Sequence, residues 1–270
     1  MTERDAIEQS DDPVTVDRLA ADLRDLGVVA GDVVLVHSSL SALGWVSGGA
    51  PAVVDALMQV VTDDGTLVMP THSGHYSDPA DWENPPVPDE WLPEIRETMP
   101  PYRPAVTPSR GMGAIPECFR TYPDVVRSRH PTSSFAAWGA DAEFVVEDHE
   151  YDSPLGEGSP LARVADLDGD VLLLGAGHDS NTSLHLAEHR ADYEKETVTN
   201  GAPVLADGER RWQEFEELDY DTSDFERVGR AFERERPDAT VAGRVGRGRA
   251  TRFRQRDLLS FATDWFGENR

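Results

Sequence analysis

Three residues in the stretch Asn181–Tyr193 (NTSLHLAEHRADY) could do chemistry together: His185, Glu188 and His189. An imidazole and a carboxylate three residues apart sit on neighbouring turns of one helix. The pair allows three readings. It can be a surface His–Glu contact without function. It can hold a metal, because His185-Leu186-Ala187-Glu188-His189 matches the H-x-x-E-H pattern of the inverted zinc peptidases. It can be a general base, the histidine taking a proton while the glutamate orients its ring. The pair alone does not choose.

The elements that must position it are legible on either side. Asp170 to His178 (DVLLLGAGH) is an apolar run closed by Gly175 and Gly177, the pattern of a buried strand ending in a glycine turn. Asn181 is expected to cap the helix that follows. Leu184, Ala187 and Ala191 fall on one face of that helix. His185 and Glu188 therefore lie just past the carboxyl end of a strand, where open α/β sheets place their sites.

An earlier unit has the same form. A helix is expected over Val14–Leu26, stopped by Gly27, and a strand over Asp32–His37. Ser38–Gly49 (SSLSALGWVSGG) then leads into a helix over Pro51–Val61. Its hydroxyls and glycine amides suit an anion, although it is neither a Walker P-loop nor G-x-G-x-x-G, and an ordinary βα turn reads equally well. Gly65–Pro70 is the next strand. From His72 to Pro108 the chain carries nine prolines together with Tyr76, Trp82, Trp91 and Tyr102. A stretch this long without a period is expected to be an ordered excursion that walls a pocket.

Further on, the sequence predicts a short helix ending at Phe119 and a strand over Ser133–Gly139. A polar loop follows over His149–Gly158, then a helix over Ser159–Val164 with proline in its first turn. Antiparallel strands are expected over Val198–Glu214 around Asp207-Gly208. The chain closes with a helix over Asp224–Glu235, a single strand over Val245–Arg254 and a helix over Arg256–Trp265. The expected fold class is α/β: one domain over residues 14–270, layered α/β/α with a mixed sheet, the excursion inserted at 72–108, and an acidic, disordered tail at 1–13.

Composition bounds the function classes. The 270 residues include 51 acidic and 25 basic ones, a net charge of −26, and Lys195 is the single lysine. The acids are spread along the chain, as in proteins adapted to high salt, so a halophilic surface is expected. The same charge disfavours binding to duplex nucleic acid. Six arginines between Arg244 and Arg256 admit an RNA-binding reading, but they suit an exposed strand offsetting the acidic surface better. No run approaches the roughly 20 apolar residues of a membrane span, and MTERDAIEQSDDP has no apolar signal core; a cytoplasmic protein is expected. Cys118 is the single cysteine, which excludes an internal disulfide, and it reads as a buried structural residue rather than a nucleophile.

Four stretches stand in one order and spacing: HSSLSALGWVSGG (His37–Gly49), RSRHPTSSFAAWG (Arg127–Gly139), GEGSPLARV (Gly156–Val164) and LLLGAGHDSNTSLHLAEH (Leu172–His189). In this the chain resembles the aminoglycoside 3-N-acetyltransferase family. The likeness runs from about His37 to Tyr193, with an echo in the C-terminal GRVG and DLLSFATDWF segments. It implies an α/β fold distinct from the GCN5-type acetyltransferases, and antibiotic resistance as the biological setting. It also implies acetyl-CoA-dependent transfer of an acetyl group to the 3-amino group of 2-deoxystreptamine, or to a related amine. The family's catalytic histidine falls on His185 with Glu188 beside it. Its CoA-binding turn falls on Ser38, Ser39 and Leu40.

The chemistry of that reaction agrees with these residues. An amine attacks a thioester only when unprotonated, and a histidine is the natural base. Direct transfer needs no enzyme nucleophile and no metal. The CoA phosphates need donors, for which Ser38, Ser39, Gly48, Gly49, Ser109 and Arg110 are candidates. A polycationic acceptor needs carboxylates, and Asp152 and Glu157 lie in a loop that matches the family's motif. His130 is either a second functional histidine or a turn histidine bonded to backbone; His72 and His75 could line the acceptor site. The competing readings are a zinc hydrolase built on His185, Glu188 and His189, and a non-catalytic CoA-binding module. Assembly as a homodimer is left open.

Overall fold

A computed structural model of the chain describes residues 3–8, 10 and 12–270, with Glu3 and Asp5 described by backbone alone. Within the segment expected to be a tail, positions 1, 2, 9 and 11 lie outside the described residues, and Glu3–Glu8 form a short helix, α1.

The chain continues through α2 (Val16–Asp25), β1 (Val33–Ser38), α3 (Gly49–Val61), β2 (Thr66–Pro70), α4 (Leu92–Thr98), α5 (Ala114–Phe119), β3 (Val126–Arg127) and β4 (Phe135–Gly139). Then come α6 (Ala142–Val146), α7 (Pro160–Asp166), β5 (Asp170–Leu174), α8 (Ser183–Arg190), β6 (Thr197–Ala206) and β7 (Glu209–Leu218). It ends with α9 (Phe225–Glu235), β8 (Thr240–Val245), β9 (Gly248–Arg254) and α10 (Gln255–Asn269).

Among the described residues, seven strands form a mixed sheet in the order β3-β4-β2-β1-β5-β9-β8, and β6 and β7 form a separate two-stranded ribbon. β1 pairs parallel with β2 on one side and β5 on the other, while β4 and β9 run antiparallel to their neighbours. Successive side chains of a strand point to opposite faces, and both faces of this sheet are covered. Val34, Val36, Leu67, Met69, Leu172 and Leu174 enter one core with α2, α3 and α5. Leu35, Val68, Val171 and Leu173 enter the other with α6 to α10. That is why β1, β2 and β5 read as unbroken apolar runs. The α/β class and mixed sheet expected from the sequence are what the structure has.

The three parallel strands end on one edge, and the segments after them share it. After β5, Gly175 takes φ +67, and a Cβ there would stand 2.7 Å from the Cβ of Ala42. Glycine thus lets the β5 turn close onto the β1 loop.

Two local expectations are corrected. Val245–Arg254 is not one strand: Gly246, at φ +58, turns the chain, so β8 and β9 form a hairpin. Asn181 does not cap α8 from the N-cap position. A 3-10 turn over His178–Ser180 precedes it, Thr182 takes the N-cap place, and Asn181 Oδ1 accepts from the Ser183 amide at 3.2 Å.

Candidate active site

α8 is buried on most of its surface, Ser183, Leu184, Leu186, Ala187 and Glu188 being shielded from solvent. Leu184, Leu186 and Ala187 are fully buried, anchoring the helix against α10. His185 is left facing a cavity of about 1160 Å³ at the carboxyl edge of β1, β2 and β5. The cavity extends from the β1–α3 loop (Ser39, Trp45, Gly49) to the β6–β7 ribbon (Asn200, Glu217). It exceeds the size usual for one drug-sized ligand, and room for two reactants follows.

His185 Nδ1 lies 2.6 Å from Glu188 Oε2, and the Glu188 side chain is 1% exposed. A carboxylate only accepts, so Nδ1–H donates, and in the neutral ring Nε2 carries the lone pair. The other oxygen of Glu188 accepts from Arg270 Nη1 at 2.5 Å. Arg270 also pairs with Asp224 at 2.5 Å and donates to the Tyr193 hydroxyl at 3.2 Å. Its pKa is held well above the usual arginine range: burial opposes the charge, but Asp224 and Glu188 outweigh it. Tyr220 and Phe225 pack on the His185 ring with centroids at 4.6 and 4.8 Å. The imidazole is thus fixed by a hydrogen bond and two aromatic walls.

The zinc reading finds no donor set here. Both Glu188 oxygens are engaged, and His189 Nε2 lies 3.1 Å from the Tyr220 hydroxyl. Among the described residues no three His, Cys, Asp or Glu side chains gather as metal ligands. Burial pushes the His189 pKa down to about 4, against the pull of Glu188.

The cofactor-turn candidates divide. Ser38, Ser39, Leu40 and Gly49 line the cavity. Ser38 Oγ is buried without a hydrogen-bond partner among the described residues, while Ser39 Oγ sits 3.2 Å from Ser41 Oγ. Gly48, at φ +91, forms the N-cap of α3, whose first amide belongs to Gly49. Ser109 is turned away: its amide and hydroxyl both go to Glu117, at 2.7 and 2.6 Å. Arg110 lines a separate cavity of about 470 Å³ with His75 and Trp82.

The acceptor candidates are not brought to the main cavity. Asp152 accepts the Glu216 amide at 2.8 Å on the surface, and Glu157 forms a two-pronged pair with Arg190 at 2.7 and 2.8 Å. His130 is fully buried: its Nδ1 accepts from the Ser133 amide at 3.0 Å and its Nε2–H points to the Tyr151 carbonyl at 3.1 Å. That is the turn-histidine arrangement. Cys118 is half-buried beside the α3 core, and its thiol pKa is raised by burial and then by Asp55 and Glu117.

Other residues, which sequence reasoning did not single out, line the cavity. Glu217, on β7, lines the cavity and accepts from Asn200 Nδ2 at 2.6 Å. Burial raises its pKa, opposed by that bond and helped by Asp81. Its signal was a carboxylate sharing the inward phase of β7 with Phe215, two residues before it. Asp179, Thr182 and His37 also line the cavity. His37 has its pKa pushed down to about 3, by burial first and then by His178 and His185.

With this geometry in view, comparison with known proteins is informative. The model of the aminoglycoside 3-N-acetyltransferase family matches residues 35–267. The SPbeta prophage-derived aminoglycoside N(3')-acetyltransferase-like protein YokD of Bacillus subtilis is 46% identical over 97% of this chain and 96% of its own. Aminoglycoside N(3)-acetyltransferase VIII of Streptomyces fradiae is 40% identical over 98% and 96%. The crystal structure of YokD superposes with a TM-score of 0.96 over 98% of each chain, at 45% identity. A binary complex of AAC-IIIb with CoASH gives 0.86 at 31% identity, over 95% of this chain and 97% of that one. AAC-VIa bound to sisomicin gives 0.85 at 32%, over 96% and 99%. The chain belongs to the aminoglycoside 3-N-acetyltransferase family.

Proposed function

We propose that this protein moves the acetyl group of acetyl-CoA directly onto an amine of an aminoglycoside or a related polyamine, with His185 as general base. The observation that carries the reading is His185 itself: it lines a cavity large enough for two reactants, and Glu188 fixes its Nδ1. Its Nε2 is then free to take a proton from the attacking amine. Relatives of this fold are known bound to CoASH and to sisomicin, which supports acetyl-CoA and an aminoglycoside as the pair.

The residues divide the work. Ser39, Leu40 and the Gly48–Gly49 start of α3 bind the phosphate-bearing part of acetyl-CoA, with the Ser39 hydroxyl and the N-terminal end of α3 offered to an anion; the Gly49 amide itself donates to the Val46 carbonyl at 3.0 Å. Glu217 and Asp179 give the cavity negative charge for a cationic acceptor. Tyr220 and Phe225 keep the His185 ring in place and exclude water from one side of it.

The test is thiol release from acetyl-CoA, in high-salt buffer containing EDTA, against a panel of aminoglycosides and simpler amines. Release that requires a 2-deoxystreptamine acceptor is expected. Release with other amines alone would move the acceptor class. Neither release nor acetyl-CoA binding would overturn the transferase reading.

A further inference from the structure

His72 follows β2 by two residues, and Ser38 is the last residue of β1, the parallel neighbour of β2. Both line the main cavity together with His185, which follows the parallel strand on the other side of β1. Ser38 Oγ and His72 Nε2 are buried polar atoms with no hydrogen-bond partner among the described residues. Such atoms are costly to bury and rare in native proteins. Two of them on residues that line the cavity of the proposed base ask for a ligand atom that accepts hydrogen bonds.

The backbone around His72 is held firmly. Arg127 is 8% exposed and has no carboxylate among its hydrogen-bond partners. Its Nη2 donates to the Thr71 carbonyl at 2.5 Å and to Ser73 Oγ at 3.3 Å, on either side of His72. Its Nη1 reaches the carbonyls of Pro104 and Thr107 at 3.1 and 2.5 Å, at the far end of the excursion. The Arg110 amide donates to the His72 carbonyl at 2.8 Å, and the His72 ring meets Phe135 edge-on at 5.2 Å. A buried cation spent on neutral oxygens makes sense if it fixes the loop that presents His72.

We propose that His72 Nε2–H and Ser38 Oγ–H bind the thioester carbonyl oxygen of acetyl-CoA and stabilise it as it becomes an oxyanion. This rests on the acetyl-transfer reading above. The amine lone pair forms the C–N bond, and the C=O π pair moves onto the oxygen held by His72 and Ser38. His185 Nε2 takes the proton from the new ammonium. The oxygen's pair then re-forms C=O, the C–S bond breaks, and the thiolate sulfur takes the proton back from His185. The products are the amide and CoA thiol. A neutral imidazole is what such a donor requires, and burial, followed by the nearby His185, His149, His37 and Arg127, holds the His72 pKa at about 3.

The experiment compares wild type with His72→Phe, His72→Gln and Ser38→Ala. Loss of one oxyanion donor lowers kcat roughly a hundredfold. That loss is expected for His72→Phe, with acetyl-CoA Kd and acceptor KM nearly unchanged, and His72→Gln, which keeps a donor, should recover part of it. In the wild-type complex with ¹³C-carbonyl acetyl-CoA, the infrared carbonyl band should move to lower frequency than in solution, and move back in Ser38→Ala. A band at its solution frequency in wild type would overturn the proposal, even if the His72 variants do not fold. So would kcat unchanged in both Ser38→Ala and His72→Phe, or a loss confined to acceptor KM. Wild type that turns over while these results fail leaves acetyl transfer standing; wild type without thiol release removes both.

Discussion

Glu188 Oε2 lies 2.6 Å from Nδ1 of His185, and the carboxylate that makes this bond is almost wholly shielded from water. A buried carboxylate must be satisfied on both oxygens. Here one orients the ring and the other is taken by Arg270. Replacing His185 by alanine should lower kcat by at least about a thousandfold, within the range for loss of a general base, and leave acetyl-CoA affinity nearly intact. Glu188→Gln should cost roughly a hundredfold, because its amide must turn an N–H toward either Nδ1–H or the guanidinium. Steady-state rates beside acetyl-CoA binding by calorimetry give the answer. A His185→Ala enzyme near the wild-type rate would remove the base assignment.

Arg270 ties α8 to the α9 start through Glu188 and Asp224. Its removal takes the guanidinium from Asp224 and from Oε1 of the buried Glu188, whose Oε2 keeps only His185. Breaking a buried pair typically costs about 3 kcal/mol. At this size that is about 6–12 °C in Tm. Arg270→Met should therefore melt several degrees lower and lose kcat more than acetyl-CoA affinity, since Glu188 would no longer hold the ring in register. An unchanged Tm would mean that the guanidinium contributes no net stability.

The parts of the site that could be read from the sequence are those held by local geometry. His185 and Glu188 are three apart on one helix, so helical spacing alone brought them together. The apolar runs of β1, β2 and β5 announced buried strands from local pattern in the same way. Glu217 and Arg270 reach the site through long-range pairing. The Arg270–Glu188 contact spans 82 residues, and no local period encodes it. Asp152 and Glu157 illustrate the reverse failure: in so acidic a chain, a carboxylate in a motif loop carries little information about a cation. The β8–β9 hairpin was hidden because its turn, Gly246-Arg247, lacks the Asn-Gly or Asp-Gly signal and lies in an arginine-rich run.

His37, His72, His130 and His149 all have pKa values pushed down to about 3, with burial the largest cause in each. The folded protein therefore leaves them neutral, while the unfolded chain protonates them below about 6.5. Protons bind preferentially to the unfolded state, so stability is full above that value and falls as pH drops toward 3. Each such histidine can contribute up to about 1.4 kcal/mol per pH unit across the window. Denaturation midpoints at constant salt should decline steadily from pH 7 to pH 5. His149→Gln, which cannot titrate, should flatten that decline; a variant with the wild-type slope would show that His149 is not held neutral.

Glu217 presents the clearest handle on the acceptor. It stands on the ribbon side of the cavity, with one oxygen fixed by Asn200 Nδ2 at 2.6 Å. Asn200 Oδ1 is itself occupied, by the Gly201 amide at 2.7 Å and the Asp78 amide at 3.2 Å, so the amide cannot turn over. The carboxylate is thus aimed before any ligand arrives, and an ammonium there needs no reorganisation. A hydrogen bond to a charged group is worth about 1.5–3 kcal/mol, which is roughly a 10- to 100-fold change in affinity. Glu217→Gln preserves the shape and removes the charge. KM for a polycationic aminoglycoside should rise by about tenfold or more, KM for acetyl-CoA should stay put, and a simple monoamine should be affected less. Because the carboxylate is half-buried, high salt should narrow the difference without erasing it. Equal acceptor KM values for the two enzymes would place the acceptor's charge elsewhere, and Asp179, which also lines the cavity, would be the next carboxylate to remove.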